Sequence, residues 1–230
     1  MQHLLDLNIE PTYQYGTWIQ HEGVLSASAD VAQWMSLGGQ VWLNSEESAG
    51  KTHLLHTLQL EHPNAALLEI SHGGKTLAVM EQVQYFLDVL AFKDAWLIDI
   101  EAGPLDFCCD SALFHVLSKA ILKRTPFILA WRCDPSELAL SQVAVHLQQL
   151  LCVEMHAAES EKDKRDVLFS VAQSRQWFLS DAVLTLLYKE GLGSLPELIA
   201  AIEELHLASL QEKRKMSVRW IKQHLKTLKE

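Results

Sequence analysis

The run Ala95-Trp96-Leu97-Ile98-Asp99-Ile100 is apolar at odd and even positions alike. A strand with one wet face alternates, whereas a strand covered by helices on both faces does not. The run therefore predicts a strand inside a parallel sheet, and a parallel sheet requires helical crossovers. The neighbouring segments follow that alternation. Helix is expected over Asp30–Leu37, strand over Gln40–Leu43, polar loop over Asn44–Gly50, and helix over Lys51–Glu61 with Leu54, Leu55 and Leu58 on one face. Strand Ala65–Ile70 precedes a helix over Thr76–Leu90, whose apolar positions are Leu77, Met80, Val83, Phe86, Leu87 and Leu90. After Ala95–Ile100 come helix Asp110–Lys123, strand Phe127–Trp131, helix Glu137–Leu151 and a short strand Leu151–Met155.

Beyond His156 the strands stop. Four helices are expected, over Glu159–Arg175, Ser180–Glu190, Leu195–Leu210 and Ser217–Lys229. Ser180 and Asp181 suit an N-cap, Ser194 suits another, and Pro196 suits a first turn. The chain thus reads as an N-terminal peptide over 1–10, an α/β domain over 11–158 and a helical domain over 159–230.

Composition narrows the class. The longest apolar runs, such as Phe127–Trp131, are far too short to span a bilayer, and Met1–Glu10 has neither a basic flank nor a cleavage site. A cytoplasmic protein without membrane partners is expected. The four cysteines form no CxxC pair and read as reduced packing thiols. Net charge is −10. The basic residues Lys213, Arg214, Lys215, Arg219, Lys222, Lys226 and Lys229 read as a solvated helix face, so autonomous tight DNA binding is not expected.

The strongest motif is Ser45-Glu46-Glu47-Ser48-Ala49-Gly50-Lys51-Thr52. It matches G-x-x-x-x-G-K-[ST] except at its first glycine, which is Ser45, and it lies between a strand and a helix. Backbone amides of Ser48, Ala49 and Gly50 would cradle phosphates at the helix start, Lys51 would neutralise them, and the Thr52 hydroxyl would bind Mg²⁺. Asp99, near the end of its apolar strand, would hold the Mg²⁺ shell. Ile100 stands where many active enzymes carry a second acid. Glu101 points to the opposite face and is a weaker candidate for the water-polarising base. Glu46 and Glu47 in the loop repel phosphate. These residues describe a P-loop NTPase sheet.

The order of segments resembles the DnaA/Hda-like family of initiator-type AAA+ ATPases. The carrying stretches are Pro11-Thr12-Tyr13, Ser45–His56, Trp96–Glu101 and Phe127–Leu138, followed by the helical lid. No DNA-binding helix-turn-helix follows, which is the Hda-like arrangement. Gln2-His3-Leu4-Leu5-Asp6-Leu7 is similar to the sliding-clamp motif Q-x-x-L-x-[LF], with Gln2 offering amide hydrogen bonds and Leu5 and Leu7 filling an apolar pocket. The resemblance implies a regulator of bacterial replication initiation that binds ADP or ATP with Mg²⁺. Its implied partners are the polymerase sliding clamp and a DnaA-like AAA+ protein, and a homodimer is compatible with it.

Departures qualify the implied chemistry. His146 stands where the family carries an arginine finger, within Val145-His146-Leu147. Pro196 stands at the sensor arginine of the third lid helix, and Arg132 falls near the polar sensor after the fourth strand. A finger is typically worth about 10³–10⁵ in rate. Little intrinsic hydrolysis is therefore expected, and stimulation of hydrolysis in DnaA is not implied either. Two alternatives stay open: a nucleotide-hydrolysing switch, or an adaptor recruiting DNA-processing partners through its basic terminal helix.

Overall fold

The computed structural model describes residues 18–72, 77–91, 93–175, 177, 179–189 and 194–228. In chain order the elements are α1 (Glu22–Leu37), β1 (Gln40–Asn44), α2 (Lys51–Glu61), β2 (Ala65–Ile70), α3 (Val79–Leu90), β3 (Ala95–Ile100), α4 (Phe107–Lys123), β4 (Phe127–Ala130), α5 (Pro135–Leu138), α6 (Ala144–Leu147), β5 (Leu151–Glu154), α7 (Glu161–Ser174), α8 (Asp181–Lys189), α9 (Leu195–Gln211) and α10 (Val218–Leu228). The chain divides into two compact units at Ala158, the first being Gln20–Ala157. The peptide carrying Gln2, Leu5 and Leu7 lies outside the described residues, as does Pro11-Thr12-Tyr13.

The first unit is a five-stranded sheet in the order β2-β3-β4-β1-β5, with every pair parallel. Leu97, Ile98, Phe127, Ile128 and Leu129 are fully buried, as a sheet covered on both faces requires. On one face α3 and α4 contribute Phe86, Leu90, Leu113, Val116 and Leu117 to the core. On α2, Leu54, Leu55 and Leu58 are buried together as their spacing predicts.

The second unit consists of α7 to α10 around its own core of Leu168, Leu187, Leu198, Ile202, Trp220 and Ile221. Ser160 caps α7 by accepting from the Asp163 N–H at 3.0 Å. Ser194 caps α9 in a capping box with Glu197, with proline in the first turn as expected.

Four expectations need correction. Helix α1 begins at Glu22, not Asp30. Gly23 and the serines of residues 22–29 are poor helix formers, but Val24, Ala27, Val31 and Trp34 are all buried, and that burial outweighs propensity. A side chain at Gly23 would meet the His156 carbonyl oxygen at 2.7 Å, so only glycine fits where α1 passes the end of β5. Helix α4 begins at Phe107 rather than Asp110, because Asp106 caps it by accepting from the Cys108 and Cys109 N–H groups at 2.9 and 3.0 Å.

The third concerns the helix expected over Glu137–Leu151, which is two short helices, α5 and α6. Buried Asp110 of α4 accepts from the Ser141 hydroxyl and, at 2.8 Å, from the Gln142 N–H. A backbone N–H captured from another element cannot continue a helical ladder, so the helix breaks there. On α3, Phe86 and Leu90 are buried but Met80 is 71% exposed, contrary to its place in the apolar pattern. Thr76, the expected start of α3, lies outside the described residues.

Candidate nucleotide site

The loop from Ser45 to Gly50 leaves the C-terminal end of β1 and enters α2. Gly50 has φ 82°, the left-handed region open to glycine, and it caps α2 without any side-chain hydrogen bond. No acceptor among the described residues takes the N–H groups of Ser48, Ala49 or Gly50. Free amides at a helix N-terminus form a ready anion cradle. That is the property a phosphate group requires, so the loop fits one.

Lys51 is buried in the first turn of α2. Its ammonium donates to the Ser45 hydroxyl, which in turn donates to the Glu47 carbonyl at 2.7 Å. Ser45, the departure from the motif's first glycine, is itself buried and thus becomes a resting acceptor for the lysine. Burial, reinforced by the Arg132 guanidinium, brings the Lys51 amine down to about 8, against the opposing pull of the Asp99 and Glu154 carboxylates. A buried cation with one hydrogen-bonded hydroxyl is short of counter-charge, and an incoming phosphate would supply it.

Asp99 is brought to the same place by the sheet register. Asp99 and Leu43 both lie beside Ala130, so Asp99 stands two strands from the residue that ends β1's apolar run. Burial pushes its carboxyl upward in pKa, while a hydrogen bond from the Thr52 hydroxyl holds it down. The structure therefore joins Lys51, Thr52 and Asp99 in one polar cluster, in which Lys51 and Asp99 are buried, and its donor set would suit a phosphate-bound divalent cation. Among the described residues no group of three or more His, Cys, Asp or Glu side chains is arranged to hold a metal ion directly.

Two residues at this cluster escaped sequence reasoning. Glu69 lies directly across from Asp99 on β2, and His56 Nε2 is 3.1 Å from Glu69 Oε1. His56 follows Thr52 by four residues, so both occupy one face of α2. That spacing was the available signal. Glu69 adds to the upward push on Asp99, and His56 counters it.

The remaining candidates are placed differently. Glu101 is exposed, and its carboxylate accepts the His72 N–H at 2.8 Å, which fastens the ends of β2 and β3 together. His146 is buried on α6, stacked on Phe114 of α4 at 4.6 Å between centroids. The Ser118 hydroxyl donates to the Phe114 carbonyl and accepts from His146 Nε2 at 2.8 Å, which leaves the buried Nδ1 without a partner among the described residues. Desolvation lowers the pKa of the imidazole, against a smaller raising effect of the Phe114 backbone. This side chain cannot reach outward as a finger does. Pro196 occupies the exposed first turn of α9, and Arg132 is half-buried with its charge felt at Lys51.

Residues 161–225 match the family described as "Hda, lid domain". No curated protein sequence matches the chain. Among solved structures, the AMPPCP-bound DnaA of Aquifex aeolicus superposes with a TM-score of 0.58 at 16% identity, covering 89% of this chain and 68% of that one. A replication initiator DnaA bound to AMPPCP and single-stranded DNA gives 0.56 at 17%, covering 90% and 69%. The RuvB Holliday junction branch migration motor of Thermotoga maritima gives 0.59 at 14%, covering 91% and 70%. At such identities the structures speak to fold, and the lid match speaks to sequence. Residues 161–225 are thus similar in sequence to an Hda lid domain, and the chain shares the fold of the DnaA and RuvB structures, a parallel α/β unit followed by a helical unit.

Proposed function

We propose that the chain is an Hda-like regulator of replication initiation that holds an adenine nucleotide with Mg²⁺ and turns it over slowly if at all. The observation that carries this reading is the contrast between two parts of the same unit. Lys51, Thr52 and Asp99 are assembled in one cluster whose buried lysine has only a hydroxyl as hydrogen-bond partner, whereas His146 is buried and tied to α4. Ser48, Ala49 and Gly50 would cradle the phosphates. Lys51 would leave Ser45 for a phosphate oxygen, and Thr52 with Asp99 would hold the Mg²⁺ shell. ADP and ATP both suit such a site. Nucleotide binding by the solved DnaA structures supports the reading.

The partner proposals extend it. A DnaA-type AAA+ domain is the proposed regulatory partner, and the peptide with Gln2, Leu5 and Leu7 the proposed clamp anchor. A synthetic Met1–Glu10 peptide should bind the clamp with a Kd in the micromolar range, about −7 to −8 kcal/mol. Leu5→Ala with Leu7→Ala should weaken it by a few kcal/mol, since a buried leucine contributes roughly 1.5–3 kcal/mol. Calorimetry with Mg-ADP tests the nucleotide site: heat with the wild-type chain and none with Lys51→Ala supports it. No heat and no thermal stabilisation at saturating nucleotide would sink it.

A further inference from the structure

The segment from Glu212 to His224, which ends α9 and begins α10, contains five cations and one acid. Lys213, Arg214, Lys215, Arg219 and Lys222 are all exposed, and none has an ion-pair partner among the described residues. The single acid contacts other groups. The Trp220 indole N–H donates to Glu212 Oε2 at 2.8 Å, and His224 Nδ1 lies 3.8 Å from Oε1. One carboxylate oxygen is thereby bonded to the Trp220–His224 stack, whose ring centroids are 4.3 Å apart. The turn itself is closed: the Arg214 N–H returns to the Ser209 carbonyl at 2.9 Å. Lys213 accepts φ 52° there, a conformation that disfavours any residue but glycine or asparagine.

We propose that this ridge is a contact surface for the phosphate backbone of a nucleic acid, distinct from the nucleotide site and independent of it. The chemistry selects this partner over two others. Insertion into a lipid surface requires an apolar face, but Trp220 and Ile221 of α10 are buried in the lid core and Met216 and Val218 pack against it. A protein partner needs an apolar or aromatic anchor at the centre of its interface, and no large apolar side chain between Glu212 and His224 is exposed. A phosphodiester strand needs only regularly spaced charge. Charge is also divided along the chain. Residues 1–157 carry 18 acids against 7 Lys and Arg, while residues 158–230 carry 11 against 12. Binding by the isolated chain is therefore weak and strongly salt-dependent. The solvated helix face read from sequence is an unneutralised ridge, because no carboxylate among the described residues pairs with its cations.

Fluorescence anisotropy of the full chain with a labelled oligothymidylate, and with a labelled duplex, tests the proposal. With about four phosphates engaged, single-strand affinity should fall roughly 50-fold between about 50 and 200 mM salt. Arg219→Gln with Lys222→Gln, and separately Lys213→Gln with Arg214→Gln, should each weaken binding tenfold or more and flatten the salt slope. Lys119→Gln with Lys123→Gln, exposed cations of α4, should leave it unchanged. All three variants should melt with the wild type. The proposal is overturned by absence of binding at low salt, by an equal loss in the α4 control, or by ridge-dependent binding to phosphatidylserine vesicles without binding to nucleic acid.

Discussion

Replacing Lys51 by methionine should stabilise the ligand-free protein while removing its response to nucleotide. The buried ammonium is held at about 8 against an ordinary 10.5. At 1.36 kcal/mol per tenfold step, keeping it charged at neutral pH costs about 3 kcal/mol. Methionine fills a similar volume without the charge. Against that gain, the Ser45 hydroxyl loses its donor, which costs roughly 1 kcal/mol, and Asp99 loses a nearby cation. The net expectation is a gain of about 1–2 kcal/mol, or a Tm higher by roughly 2–8 °C for a domain of this size. The sign can be checked with pH. The folded-state pKa lies below the unfolded one, so between about 8 and 10.5 the unfolded chain holds the extra proton and wild-type stability rises with pH. The variant lacks that rise, so the gap in Tm should narrow across the same window. Differential scanning fluorimetry with and without Mg-ADP reads both effects. A destabilised variant that still gains Tm with nucleotide would refute the reasoning and make Lys51 a structural residue.

Nucleotide affinity should decline above about pH 8, where free Lys51 loses its charge, by roughly tenfold per pH unit in calorimetric titrations; a flat profile would exclude the lysine from the phosphates. Asp99→Asn keeps an acceptor for the Thr52 hydroxyl but removes the charge, so ATP affinity should become insensitive to Mg²⁺ with Tm unchanged or higher, and persistent Mg²⁺ dependence would move the metal shell elsewhere. His146→Arg should destabilise by roughly 3–5 kcal/mol through an unpaired buried charge and restore no ATPase activity, whereas Val145→Arg, at an exposed position, should fold normally in chemical denaturation. Stability of the wild type should fall as pH drops below 6.5, because the unfolded chain takes up a proton that the buried His146 refuses.

The parallel sheet was legible in Ala95–Ile100 because burial on both faces erases alternation, a local signal. The phosphate loop was legible because its Gly-Lys-Thr stands between two recognisable periodic segments. What stayed hidden depended on partners distant in sequence. Asp110 breaks a helix about thirty residues away by capturing Ser141 and Gln142, and nothing near those residues announces it. Gly23 reads as a loop residue until β5 passes beside it. Glu69 acquires its place only when β2 pairs with β3, and Glu212 meets Trp220 only because α10 folds back beside it. His146 was identifiable as a non-arginine, but its burial against Phe114 follows from the α4–α6 packing alone.

The central claim, a nucleotide site that binds without efficient turnover, is tested most directly by loading the pure protein with a stoichiometric amount of Mg-ATP, removing free nucleotide by gel filtration, and chromatographing what remains bound over time. The account predicts close to one nucleotide per chain, remaining ATP over many minutes, and none retained by Lys51→Ala. Loss of all nucleotide on the column, or conversion of the bound ATP to ADP within the seconds typical of working ATPases, at turnover numbers of roughly 1–100 per second, would contradict it.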